Sequence, residues 1–289
     1  MDPTAGVEIP YEDHELVPAG DGAELYYESY GSAEPGAPVV TTINNFYLLA
    51  QIWRGFSTQL AQRNRVVAWD LRNQGGSKAG TAPLTWDHLV DDLGSLLDHL
   101  EIERTYLLGS SISCFIARDF ALRHPDRVAG CIMQAPAFSP YGSRRREMIT
   151  RAWLQTLDAF GTDGLWQHMY GEAYCGQTQE VMGAAGYLGL RQMFSGVHRK
   201  EQLREFIELS LPLADGPEPL RRLTCPVLVQ VGDGDFMWSA SQAEDTMALL
   251  RRGKLDVIPR AGHVATMENP QEFEASVQRF VDEVEAGKR

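Results

Sequence analysis

The feature that most constrains the fold is an alternation of strand-forming and helix-forming segments near both ends of the chain. Short β-branched or apolar runs occur at 39–43, 65–71, 105–109, 128–135, 226–232 and 254–258. The segments between them have helical spacing, most clearly "TWDHLVDDLGSLLDHLEI", where leucines recur every three or four residues behind a Thr85 cap. Parallel strands joined by helical crossovers are the simplest arrangement with this order. The sequence therefore predicts an α/β fold with a mostly parallel central sheet flanked by helices.

Three further local patterns give secondary-structure predictions. The segment 23–31 has strand-forming residues, and the Pro/Gly-rich "SAEPGAP" that follows it predicts a hairpin turn into the strand 39–43. Helical spacing also predicts helices over 48–62, 242–252 and about 270–285.

The alternation stops between Pro136 and about Pro219, where the chain is mostly helix-forming and rich in aromatic residues. A helical block inserted between two regular strands is typical of a cap over the ends of a sheet. We therefore expect an α/β core formed by 1–135 and 220–289, with a helical cap or lid over 136–219.

Charge and composition exclude several kinds of partner. The chain has 289 residues, 44% of them hydrophobic and 22% charged, as in a globular protein, and its formal net charge is −13. This charge disfavours nucleic acids and anionic membrane surfaces as partners, because both are polyanions. The first residues lack a secretory signal pattern, and no apolar stretch approaches the roughly 18 residues that span a bilayer. We expect a cytoplasmic protein.

No pattern in the sequence indicates a metal or a cofactor. The four cysteines are widely spaced, without a CxxC or Cys/His pairing, and are interpreted as small core residues. The "GDGD" stretch at 232–235 lacks the spacing of a calcium loop. Neither a GxGxxG nor a P-loop can be formed at Gly75 and Gly76. We expect no metal, no cofactor and a small-molecule substrate.

The segment "YLLGSSISCF" has the pattern of a nucleophile elbow, a sharp turn between a strand and a helix that exposes a reactive serine. So tight a turn requires small residues two positions before and two positions after the nucleophile. Ser111 meets both requirements through Gly109 and Ser113, whereas Ser110 would have a leucine at one of these positions. Ser111 is therefore the candidate nucleophile.

A serine hydroxyl needs a base to accept its proton and an acid to orient that base. Two loops that follow predicted strands offer these groups. Asp233 and Asp235 follow the strand 226–232, and His263 lies in a glycine-containing loop after the strand 254–258. Since the carboxyl ends of parallel strands meet at one edge of a sheet, we expect Ser111, His263 and one of the two aspartates to converge.

The order Ser, Asp, His, together with the elbow, resembles the α/β-hydrolase superfamily, specifically the capped single-domain serine hydrolases, over about residues 20–286. The segment "DLRNQGGS" (70–77) is similar to the D-x-R-G-x-G-x-S segment of that family, and "LRHPDRVAG" (122–130) is similar to its helix-to-strand link. The resemblance implies that Asp235 is the acid, with Asp233 as the alternative.

The resemblance also implies an oxyanion hole formed by the backbone amides of Phe46 and Ile112. Many members have His-Gly after the third strand, and here Asn44 and Asn45 replace that pair. Their side chains either shape the loop, as Asn commonly does, or donate a hydrogen bond to substrate. Further candidates for substrate contact are three aromatic residues of the insertion, although most aromatic residues there should form its own core: Tyr141, Trp153 and Trp166.

These residues indicate a serine hydrolase that acts through an acyl-enzyme on an ester, lactone or thioester of a small to medium, partly apolar molecule. The unusual asparagine pair leaves open an acyltransferase, a carbon–carbon bond hydrolase or another natural-product tailoring enzyme with the same triad. A non-catalytic ligand-binding relative is a further alternative, because a fold alone does not determine function.

Overall fold

The computed structural model describes residues 11–288, and side chains from residue 15 onward, so the first ten residues used above for the signal-peptide prediction lie outside the described part. Its centre is one sheet of eight strands: β1 (Tyr11–Pro18), β2 (Glu24–Gly31), β3 (Val39–Ile43), β4 (Arg65–Trp69), β5 (Thr105–Ser110), β6 (Val128–Gln134), β7 (Val227–Gly232) and β8 (Gly253–Ile258).

The helices of the described part fall into two groups. Those that flank the sheet are α1 (Ala50–Phe56), α2 (Trp86–His99), α3 (Cys114–Arg123), α8 (Ala240–Met247), α9 (Ala265–Glu268) and α10 (Pro270–Glu285). Those inserted between β6 and β7 are α4 (Arg144–Ala173), α5 (Gly176–Val197), α6 (Lys200–Ser210) and α7 (Pro217–Arg222). We call this second group, with its connecting loops, the helical insertion.

The strand order in the sheet is β1-β2-β4-β3-β5-β6-β7-β8. All neighbouring pairs from β4 to β8 are parallel, and only the pairs that involve β2 are antiparallel. The predicted fold class, a mostly parallel sheet flanked by helices, is therefore confirmed. This topology brings the carboxyl ends of β5, β7 and β8 to the same edge of the sheet.

The predicted hairpin between the segments 23–31 and 39–43 was wrong. β2 pairs with β1 and β4, while β3 lies between β4 and β5. The physical reason is burial, because Val40 through Ile43 are fully buried, as suits a central strand with both faces covered. The charged segment that forms β1 was not predicted as a strand, since polar residues predominate in it.

Apolar clusters cover both faces of the sheet. On one face, α2 buries Leu89, Leu93, Leu96 and Leu97, and the Thr85 hydroxyl caps this helix by accepting a bond from the His88 amide, as predicted. On the other face, α1 and α10 contribute a second cluster, which includes Trp53, Phe273, Val277, Phe280 and Val281. The predicted helices over 48–62 and 242–252 are shorter, as α1 and α8.

Two long helices of the insertion are interrupted by glycines. Gly161 in α4 has φ 70° and Gly183 in α5 has φ 56°, values that break the helical backbone. Each of the two helices is therefore kinked at its glycine. None of the helices in residues 11–288 combines the length and the apolar character needed to cross a lipid bilayer.

Candidate active site

Ser111 lies at the sharp turn between β5 and α3. Its φ of 57° is in the left-handed region, which is strained for a residue with a side chain. A Cβ atom on Gly109 would lie 3.0 Å from both the Cys114 amide nitrogen and the Ser113 carbonyl oxygen, so the turn is closed too tightly for a larger residue there. These contacts give the physical reason for the small residue at position 109.

Ser113 connects the turn to the neighbouring strand. Its hydroxyl accepts a hydrogen bond from the Ser110 amide at 2.8 Å and lies 2.8 Å from the Ile43 carbonyl oxygen. The two hydroxyls therefore have different roles. That of Ser113 is hydrogen-bonded to backbone groups, whereas that of Ser111 faces a cavity.

Three predicted side chains meet in a hydrogen-bonded series. The Oγ atom of Ser111 is 2.9 Å from Nε2 of His263, and Nδ1 of His263 is 3.0 Å from Oδ2 of Asp235. The side chains of His263 and Asp235 are almost fully buried, at 8% and 0% exposure. A hydroxyl, an imidazole and a carboxylate in this order have the geometry of a serine nucleophile with its base and orienting acid.

The acid in contact with His263 is Asp235, the residue favoured above. Its other oxygen, Oδ1, accepts bonds from the amides of Met237 and Trp238 at 2.8 and 2.9 Å, which fixes the carboxylate orientation. Asp233, the alternative, is exposed, and its carboxylate accepts from the Ala261 amide at 3.3 Å.

The backbone of His263 is held from two sides. Its amide donates to the Ala173 carbonyl in the insertion at 2.8 Å, and its carbonyl accepts from Nε2 of Gln134 at 2.7 Å. Oε1 of Gln134 accepts from the Ser110 hydroxyl at 2.5 Å. Gln134 therefore links the loops that carry Ser111 and His263, a role that the sequence analysis missed. The available signal was a polar residue at the end of a buried strand.

Asn44 does not face the cavity. Its Nδ2 donates to Oδ1 of Asp70 at 2.9 Å, and its Oδ1 accepts from the Trp53 indole at 2.8 Å. Asp70 also accepts from the amides of Ala50 and Gly76, and its burial raises the pKa of its carboxyl to about 6. Both polar ends of Asn44 are therefore used to fix the loop after β3.

Asn45 lies beside the cavity and shapes the same loop. Its Oδ1 accepts from the amides of Tyr47 and Leu48 at 2.9 and 3.0 Å. This turn positions Phe46, which borders a small cavity together with Ser111 and Ile112. The two amides predicted for an oxyanion hole therefore belong to residues on the same cavity as the candidate nucleophile.

Two cavities reach Ser111 beneath the helical insertion. The larger has a volume of about 70 Å³ and the smaller about 30 Å³. The walls of the larger are mainly aromatic and sulfur-containing: Tyr47, Trp153, Trp166, Met169, Tyr174 and Phe194. Trp153 borders both cavities, and Trp166 borders the larger.

Tyr141 lies outside these two cavities. Its side chain is 73% exposed and its hydroxyl contacts the Asp245 carboxylate, so its position does not suit substrate contact. In contrast, His198 borders the larger cavity and its Nε2 lies 3.0 Å from the Tyr47 carbonyl oxygen. Burial lowers the pKa of His198, which favours a neutral imidazole at this apolar wall.

Arg146 belongs to a run of three arginines at the start of α4, residues 144–146, and borders the smaller cavity. Its guanidinium is already bonded to protein atoms. The guanidinium contacts the buried carboxylate of Asp215 and the carbonyls of Ser210 and Leu213. Desolvation raises the pKa of Asp215 despite this pairing. These bonds of Arg146 therefore hold the helices and loops of the insertion together.

Within residues 11–288, no three His, Cys, Asp or Glu residues are grouped to hold a metal ion.

Comparison with known proteins identifies relatives that match most of the chain. A putative carbamate hydrolase RutD of a Caulobacter species is 25% identical over 261 residues, which are 89% of this chain and 95% of the relative. An esterase structure from Thermogutta terrifontis has a TM-score of 0.81 at 24% identity, covering 94% of this chain and 99% of that chain.

A hydrolase structure from Pseudomonas aeruginosa has a TM-score of 0.80 at 25% identity, covering 93% of this chain and 98% of that chain. The family model described as the alpha/beta hydrolase family matches residues 35–276, well over half of the sequence. The protein is therefore a member of the α/β-hydrolase family of enzymes.

Proposed function

We propose that the protein is a serine hydrolase that cleaves an ester, lactone or thioester through an acyl-enzyme on Ser111. The observation that carries the proposal is the hydrogen-bonded series from Ser111 through His263 to Asp235, at 2.9 and 3.0 Å, beside two cavities. The strained backbone at Ser111 supports it, since such strain places the hydroxyl at the tip of a turn.

In the proposed mechanism, the Ser111 hydroxyl attacks the substrate carbonyl while Nε2 of His263 accepts its proton. Asp235 accepts a bond from Nδ1–H and stabilises the imidazolium that forms. The amides of Phe46 and Ile112 donate to the developing oxyanion. His263 then protonates the leaving oxygen or sulfur as the bond to the carbonyl carbon breaks, and water attacks the acyl-enzyme by the same steps in reverse.

The cavity walls support a partly apolar substrate. Aromatic and methionine side chains surround the larger cavity, and the one arginine among the lining residues of the smaller cavity is bonded to protein groups. Since an anionic substrate would find no free cation on these walls, a neutral acyl compound is the better match. The helical insertion, 136–219, acts in this proposal as the cap that excludes water.

The deciding experiment compares the wild type with Ser111→Ala, using an aryl acetate assay and a fluorophosphonate probe. The wild type should hydrolyse the ester and be labelled, and the variant should lose about 10⁶-fold in kcat and all labelling. Ser195→Ala is a matched control on the exposed side of α5, where the hydroxyl contacts Asp163. Persistent labelling of Ser111→Ala would contradict the proposed nucleophile.

A further inference from the structure

The two cavities differ in which catalytic groups they contain. Both include Ser111, and they share the walls formed by Asn45, Tyr47 and Trp153. His263 borders the larger cavity and not the smaller. Phe46 and Ile112, whose amides are proposed to hold the oxyanion, border the smaller cavity and not the larger.

The chemistry of ester cleavage assigns one side of the substrate to each cavity. In the tetrahedral intermediate, the carbonyl carbon carries the new bond to Ser111 Oγ, the oxyanion, the leaving oxygen and the acyl substituent. The proton taken from Ser111 must pass from Nε2 of His263 to the leaving oxygen as the carbon–oxygen bond breaks. The leaving group therefore lies on the His263 side, and the acyl substituent points away from His263, toward the smaller cavity, which His263 does not border.

We propose, on the basis of the acyl-enzyme function above, that the substrate is an acyclic ester with a short acyl group and a bulkier apolar alcohol. The short acyl group occupies the smaller cavity of about 30 Å³, and the alcohol occupies the larger cavity of about 70 Å³. Trp153 borders both cavities. A lactone ring ties its acyl and alcohol sides together, so it fits two separate cavities less well than an open-chain ester.

The walls add a second asymmetry that favours the same assignment. The smaller cavity is bordered by the buried side chains of Ala137 and Ile207 and by Arg146, whose guanidinium is bonded to protein groups. The larger cavity is bordered by Met193 and Val197, which are 41% and 43% exposed. A long alcohol can therefore extend past these residues toward solvent.

Hexyl acetate and methyl heptanoate test this assignment, because these isomers carry the same hexyl chain on opposite sides of the ester group. We expect kcat/KM for hexyl acetate to exceed that for methyl heptanoate by at least about tenfold, as each apolar group in a fitted pocket contributes discrimination of this order. Equal values, a preference for methyl heptanoate, or turnover of neither isomer would overturn the assignment.

Two matched variants connect the preference to the cavities. Val197→Trp narrows the larger cavity and should lower kcat/KM for hexyl acetate by about tenfold, with little change for methyl heptanoate. Ile149→Ala enlarges the smaller cavity and should raise the value for methyl heptanoate selectively. The opposite pattern in either variant would show that the two sides of the ester are reversed.

Fluorophosphonate labelling separates failure of this assignment from failure of the proposed function. If Ser111 is labelled and esters are cleaved without the expected isomer preference, the acyl-enzyme function stands and the cavity assignment fails. If Ser111 is not labelled and no ester is cleaved, the proposed function itself fails.

Discussion

Replacing Asp235 by Asn tests the proposed role of the acid through the tautomer of His263. Oδ1 of Asp235 accepts bonds from two amides, those of Met237 and Trp238. In Asp235→Asn, the side-chain carbonyl must stay at these amides, because an NH₂ group there would oppose two donors. The NH₂ group therefore faces Nδ1 of His263, where Asp235 now places Oδ2 at 3.0 Å.

A donor at this position requires Nδ1 to accept a hydrogen bond, so the imidazole proton moves to Nε2. Nε2–H then points at Ser111 Oγ, 2.9 Å away, and cannot accept the serine proton. Since the same change in a Ser-His-Asp triad costs about 10⁴-fold in kcat, we expect a loss of about that size, or roughly 5 kcal/mol in the barrier. The Ser111 residue itself is unchanged.

The assay is steady-state hydrolysis of an aryl acetate, with the rate of fluorophosphonate labelling as a second readout. Both should fall together in Asp235→Asn, and the melting temperature should show that the variant is folded. Asp233→Asn is the matched control, because this carboxylate is exposed and only two residues away. It should retain activity within about twofold, as expected for an exposed substitution. A fall of less than tenfold in Asp235→Asn, or an equal fall in the control, would refute the tautomer argument.

Two further predictions concern the loop after β3 and Asp70, the buried carboxylate that binds this loop. Asn45→Ala removes the acceptor of the Tyr47 and Leu48 amides, which should displace the neighbouring amide of Phe46. We expect kcat to fall by at least about tenfold, with a smaller change in KM. An unchanged kcat in the same ester assay would contradict this prediction. Burial raises the pKa of Asp70 from 3.8 to about 6, so the folded state binds a proton more tightly than the unfolded state between these values. The free energy of unfolding of the wild type should therefore fall by about 3 kcal/mol, relative to that of Asp70→Asn, as the pH rises through this window. Urea titrations at a series of pH values measure this difference. Parallel pH profiles for the wild type and Asp70→Asn would show that the pKa of Asp70 is not raised.

The candidate triad could be predicted from the sequence because each of its members follows a strand. The carboxyl ends of parallel strands lie at one edge of the sheet, and this topology brings Ser111, Asp235 and His263 together. The α/β alternation in the sequence was enough to predict this topology. The choice between Asp233 and Asp235 depended on a family resemblance. In the structure, the amides of Met237 and Trp238 fix the orientation of the Asp235 carboxylate toward His263. Composition and spacing alone do not predict these two hydrogen bonds.

Features that depend on side-chain direction could not be predicted in the same way. Asn44 and Asn45 are adjacent and chemically identical, yet one is enclosed by Trp53 and Asp70 while the other borders the cavities. Tyr141 and Trp153 are both aromatic residues of the insertion, yet the side chain of Tyr141 is exposed while Trp153 borders both cavities. The wrong prediction of a hairpin between β2 and β3 has a related cause. A Pro/Gly-rich segment indicates that the chain reverses direction, but it does not determine which strand pairs with β2.

The helical insertion holds the loop of His263 as well as enclosing the cavities. The amide of His263 donates to the Ala173 carbonyl, and the next residues of the insertion approach the same loop so closely that a Cβ on Gly262 would lie 2.7 Å from the Cys175 amide nitrogen. On the other side, the Cys175 amide donates to Glu268 at 2.8 Å. Because the end of α4 and the loop after β8 are joined through backbone groups, a displacement of the insertion must move the imidazole relative to Ser111. The shape of the cavities and the position of the His263 imidazole are therefore coupled, so substitutions that displace the end of α4 should alter kcat as well as KM.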